Sequence, residues 1–102
     1  MGIDLLDIFF RIEKEFSVKL DRDSFFQMVK AKFGDLPPPD NAWADLQVRD
    51  FVDWTLQEVT RQNPNEATNV FNRVKKILSL CLGCSEAEVT PDAWLVRDLG
   101  MS

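Results

Sequence analysis

Four stretches with apolar residues spaced three and four apart, no sustained apolar–polar alternation, and short polar links between the stretches predict an all-α helical bundle. The chain has 102 residues and a mass of 11.8 kDa, which is room for one domain and one core, residues 1–102. A domain of this size buries roughly two thirds of the surface its unfolded chain exposes, so it is expected to fold unaided.

The first helix is expected over Ile3–Phe16, with Leu5, Leu6, Ile8, Phe9, Ile12 and Phe16 on the apolar side. Arg11, Glu13, Lys14 and Glu15 take the other side, and Asp4 and Asp7 complement the positive end of the helix dipole. Ser17 to Leu20 reads as a short extended segment with Val18 and Leu20 on one side. Asp21 and Asp23 both suit an N-cap for a second helix over Ser24–Phe33, whose stripe is Phe25, Met28, Val29 and Phe33. Gly34 stops it. Pro37, Pro38 and Pro39 then stiffen a connector that Trp43 and Leu46 are expected to fold back on the core.

A third helix is predicted over Val48–Arg61, burying Val48, Phe51, Val52, Leu56 and Val59, with Trp54 near the edge of that face. Gln62 to Asn65 form a polar break. A fourth helix is predicted over Glu66–Leu82, with Val70, Phe71, Val74, Ile77, Leu78 and Cys81 inward and Gly83 as its stop. Ser85 is expected to cap a short turn, Glu86 to Glu88. The rest reads as an ordered loop that buries Val89, Trp94, Leu95 and Leu99.

Composition excludes several function classes. A net charge of −5 and a pI near 4.6 argue against nucleic acid, which needs a basic patch. No apolar stretch approaches the ~20 residues of a membrane span. Acids near Met1, where a signal peptide carries basic residues, give a cytoplasmic expectation. Cys81 and Cys84 form a Cys-Leu-Gly-Cys motif, but zinc wants four ligands, and the chain has no histidine and no third cysteine. The pair also lacks the strand–helix context of a redox motif, so both are read as small apolar residues. Without histidine the commonest general base is missing, and no enzyme is expected.

Three stretches carry a family resemblance. Val74 to Met101, VKKILSLCLGCSEAEVTPDAWLVRDLGM, resembles the first helix and long first loop of acyl carrier proteins. Asp4 to Leu20, DLLDIFFRIEKEFSVKL, is similar to that family's second helix, which follows the modified serine. Leu46 to Thr55, LQVRDFVDWT, resembles its last helix. Together they cover over half the chain, while Asp21 to Asp45 matches less well. The order is circularly shifted: 3–60 correspond to the family's second to last helices, 61–68 to a joining linker, and 69–102 to its first helix and DLG loop. The resemblance implies a small three- to four-helix acyl-carrier-like bundle, circularly permuted, as a monomer or a domain-swapped dimer.

The resemblance further implies a carrier of acyl groups, held as thioesters on a 4'-phosphopantetheine arm, in fatty-acid, polyketide or related acyl biosynthesis. Its partners would be acyl-chain-processing enzymes and a phosphopantetheinyl transferase with basic docking patches. Alignment departs from the family at the attachment point, placing Gly2 at the serine position and Ser102 at the preceding aspartate. Ser102 is the candidate attachment residue. Asp4, Asp7, Glu13 and Asp98 match positions that help dock partners in the family, and a solvated helix face explains the same residues. The alternative function is a non-loaded helical interaction module with the carrier fold and no prosthetic group.

Overall fold

In the computed structural model, which describes residues 3–33, 46–95 and 97–100, four helices follow in order: α1 (Ile3–Phe16), α2 (Arg22–Phe33), α3 (Val48–Gln62) and α4 (Val70–Leu82). Single 3-10 turns lie at Pro64–Glu66 and Glu86–Glu88. The described residues contain no strand, only one antiparallel bridge between Gln47 and Trp94. The radius of gyration, 12.9 Å, is that expected when a chain of this length packs as one unit.

Helix α1 keeps its predicted bounds, and Ile8, Phe9, Ile12 and Phe16 of its stripe are all buried. It ends in a left-handed turn at Ser17 (φ 55°), where the Val18 N–H donates to Glu13 O at 3.2 Å. The expected extended segment therefore begins one residue later. Helix α2 starts at Arg22, two residues before the expectation, because Asp21 takes the cap. Its carbonyl accepts from Phe25 N–H at 3.1 Å and its carboxylate from Asp23 N–H at 3.0 Å.

Phe9, Phe25, Phe51 and Trp54 form the aromatic centre that joins α1, α2 and α3. Phe25 stands edge-on to Phe9 at 5.3 Å and to Trp54 at 5.2 Å between centroids. Trp54, expected at the edge of its helix, is only 4% exposed, drawn in by these rings. Leu6 and Leu56, expected inside, are 41% and 39% exposed, because each lies at the margin of its helix's stripe.

Helix α4 packs along α1 and against α3. It begins at Val70 rather than Glu66, since Asn69 takes a left-handed conformation (φ 53°) that a helix cannot continue through. Gly83 (φ 68°) closes it as predicted, donating its N–H to Ser79 O at 3.0 Å. Trp43, Gly34 and the Pro37–Pro39 connector lie outside the described residues, as do the side chains of Leu5 and Phe33. No helix among the described residues is long and apolar enough to cross a membrane.

Candidate functional site

The sequence predicts an ordered loop for the tail, and in the structure its Pro91–Leu95 stretch lies against the opening turn of α3. A helix leaves its first N–H groups without intrahelical partners, and the tail supplies partners for α3. The Val48 N–H donates to Ala93 O at 2.8 Å and the Arg49 N–H to Pro91 O at 3.0 Å. The Leu95 N–H donates to Leu46 O at 2.8 Å in return, and Gln47 Nε2 donates to Asp92 O at 3.1 Å. An Arg49–Asp92 ion pair closes the same junction.

Held this way, the loop turns Val89, Ala93, Leu95 and Leu99 into the core that also buries Ile8 and Phe9 of α1. Trp94, expected inside, is half-buried, with the Arg97 guanidinium 4.1 Å from its ring centre. The Asp98 carboxylate accepts from Trp94 N–H at 2.9 Å, and Asp98 N–H donates to Trp94 O at 3.0 Å. Asp98 thus braces the turn that carries Leu99 inward, while remaining exposed.

The other candidate acids divide. Asp7 faces Arg11 one turn on, at 3.3 Å, with both side chains about half exposed. Glu13 accepts from Leu20 N–H at 2.7 Å and so ties the end of α1 to the following segment. Asp4 lies in the first turn of α1, and its side chain is outside the described ones. Gly2 and Ser102 are outside the described residues altogether. The structure therefore gives Glu13 and Asp98 structural bonds, and leaves Asp7 on an open face shared with Arg11 and Lys14.

Cys81 and Cys84 form no disulfide, and both pack against the core. Burial pushes the Cys84 thiol above its ordinary value, and the neighbouring Glu88 carboxylate raises it further. A thiol so shifted is a poor nucleophile at neutral pH. Among the described residues no group of three or more Cys, Asp or Glu is arranged to hold a metal ion.

One polar cluster escaped the sequence reading. Glu58 is buried in the C-terminal third of α3, accepting from Ser24 Oγ at 2.8 Å, Arg61 Nη2 at 2.5 Å and Gln62 Nε2 at 3.2 Å. Trp54 Nε1 donates to the same Ser24 hydroxyl at 3.3 Å. Burial works against the ionised form of Glu58, but the bonds from Arg61, Ser24 and Gln62 outweigh it and hold the carboxyl below its ordinary value. The available signal was a glutamate one turn beyond Trp54, on the apolar stripe, with Arg61 and Gln62 three and four residues on. The Glu58 carboxylate is engaged by three donors, so the cluster reads as a clasp between α2 and α3 rather than a site of chemistry.

Compared with protein-family models, with curated proteins and with solved structures, the chain finds no match.

Proposed function

We propose that this chain is an acyl-carrier-type domain with its segments in circularly shifted order. It would hold acyl groups as thioesters on a 4'-phosphopantetheine arm, in fatty-acid, polyketide or related acyl biosynthesis. The observation that carries this reading is the tail. The stretch resembling the family's first helix and DLG loop runs as α4, the Gly83 stop, the Glu86–Glu88 turn and an ordered loop, and its Leu99 shares a core with Ile8 and Phe9 of the helix resembling the family's next one.

The prosthetic group fits the start of α1 in its chemistry. Helix α1 opens at Ile3, and its first-turn N–H groups, without helical partners, would suit a phosphodiester oxygen. Ser102 is the residue proposed to bear the arm, and Asp4 and Asp7 would lie beside it on the docking helix. The thiol of the bound arm carries the acyl group; the chain's own part is to present it and to engage partner enzymes with basic patches. No catalytic role in the acyl chemistry is proposed for the chain itself. A cytoplasmic setting and a monomer or swapped dimer belong to the same proposal.

A second reading, a carrier-fold interaction module that is never loaded, is favoured by one residue: Gly2, which has no hydroxyl, occupies the family's serine position. Incubation with coenzyme A and a phosphopantetheinyl transferase, followed by intact mass and peptide mapping, separates the two. A gain of one phosphopantetheine on Ser102, lost in Ser102→Ala, is expected of the carrier. No gain in the wild type, with loading restored by Gly2→Ser, would assign the module. No gain in either would remove the carrier reading.

A further inference from the structure

The carrier reading makes no use of the open cleft between α1 and α4, a cavity of about 720 Å³. We propose that this cleft docks an acidic peptide segment bearing an apolar side chain, because four cations of an otherwise acidic chain converge there beside two aliphatic residues. Arg11 and Lys14 project from α1, and Arg73 and Lys76 from α4, against only two acids in the lining, Glu15 and Glu86. The chain as a whole carries −5.

These cations differ in what they are free to do. Arg73 is committed: its guanidinium meets the Glu15 carboxylate at 2.8 Å and the backbone oxygens of Glu15, Glu66 and Thr68 at 2.9–3.3 Å. It neutralises Glu15 and stiffens the base of the cleft. Arg11 has a loose, half-exposed pairing with Asp7. No carboxylate among the described residues pairs with Lys14 or Lys76, and the Lys14 ammonium rests 4.5 Å from the Phe10 ring centre. Helix α4 adds to the positive potential, since its first turn contains no acid to offset its dipole.

The apolar part selects the occupant. Leu80 is 64% exposed, the most exposed large apolar side chain among the described residues, and it lies in the cleft beside the buried Ile77. A phosphate ion would have no use for Leu80. Duplex nucleic acid or an anionic bilayer would meet the acidic remainder of the surface and be repelled. A peptide places a few carboxylates against Lys14 and Lys76 and one aliphatic or aromatic side chain on Leu80, and touches little else. This site involves neither Gly2 nor Ser102, so it stands or falls apart from the carrier proposal.

The test is fluorescence anisotropy with a short labelled peptide of Glu, Asp and Leu, alongside its lysine-for-acid counterpart, inorganic phosphate as competitor, and phosphatidylserine vesicles. Saturable binding of the acidic peptide is expected, weakened roughly tenfold by Lys14→Glu with Lys76→Glu and reduced by added salt. Leu80→Ala should weaken it several-fold. Amide NMR shifts on the unmutated protein should centre on Arg11, Lys76 and Leu80, a readout that does not depend on any variant folding. Absence of saturable binding overturns the proposal. So do equal binding of the lysine peptide, displacement by millimolar phosphate, a stronger response to vesicles, undiminished binding by folded variants, or shifts confined to another face.

Discussion

Two polar seams hold the helices together, and they differ in what water can reach. Between α2 and α3, the Glu58 side chain is 10% exposed and is surrounded by three donors, while the Ser24 hydroxyl also serves Trp54. Between α1 and α4, the Glu15 side chain is 44% exposed and meets Arg73 from the solvent side. Both seams pair a carboxylate with a guanidinium. In the first, removing a partner strands a buried polar group; in the second, water replaces whatever is lost. The buried Ser24–Glu58 bond, braced by Arg61 from within α3, therefore fixes α2 against α3, whereas the exposed Glu15–Arg73 pair adds less to the contact of α1 with α4.

The largest expected effect breaks the inner seam by removing its apolar support. Phe25→Ala takes away a fully buried ring shared by Phe9, Phe51 and Trp54, and should cost about 3–5 kcal/mol in urea unfolding. A loss as small as that of an exposed substitution would remove the distinction between the seams. Next comes Glu58→Gln, which keeps the shape and removes the charge, at an expected cost of about 1–2 kcal/mol at neutral pH.

Acid should sharpen the same contrast. Glu58 is held below its ordinary value in the folded protein, so its contribution is present above the unfolded-state value, near 4.5, and is lost as pH falls through the lower folded value. Stability measured from pH 6 down to pH 3 should fall less steeply in Glu58→Gln than in the wild type. Parallel slopes would mean that Glu58 is not the group being protonated. The smallest effect belongs to Glu15→Gln, expected at no more than about 1 kcal/mol and shrinking further as salt rises.

Much of the backbone was legible in the sequence because local signals agreed. Helix α1 kept its predicted bounds, and Gly83 announced the end of α4 through the left-handed conformation that glycine adopts without steric penalty. The start of α4 was not legible, because nothing in Glu66 to Asn69 forbids a helix. The interruption comes from Asn69 turning left-handed and from Arg73 drawing the carbonyls of Glu66 and Thr68 toward itself. Trp54 was misplaced for a related reason: its partner Phe25 lies on another helix, and spacing within α3 carries no record of it. The aspartates and Glu13 were visible as acids, but the backbone N–H groups that engage Glu13 and Asp98 appear only once the chain has turned.

The bonds between Pro91–Leu95 and Leu46–Arg49 have a dynamic consequence. Gln47 and Asp92 are 45 positions apart, so while Asp50 caps Gln47 locally, the partners of the Val48 and Arg49 N–H groups come from far along the chain. These two amide hydrogens are shielded only while Ala93 and Pro91 stay seated, which makes that segment and the start of the turn a single unit of opening and closing. Whatever pulls on the tail, whether a partner protein or a protease, is felt at once at the far end of a different helix.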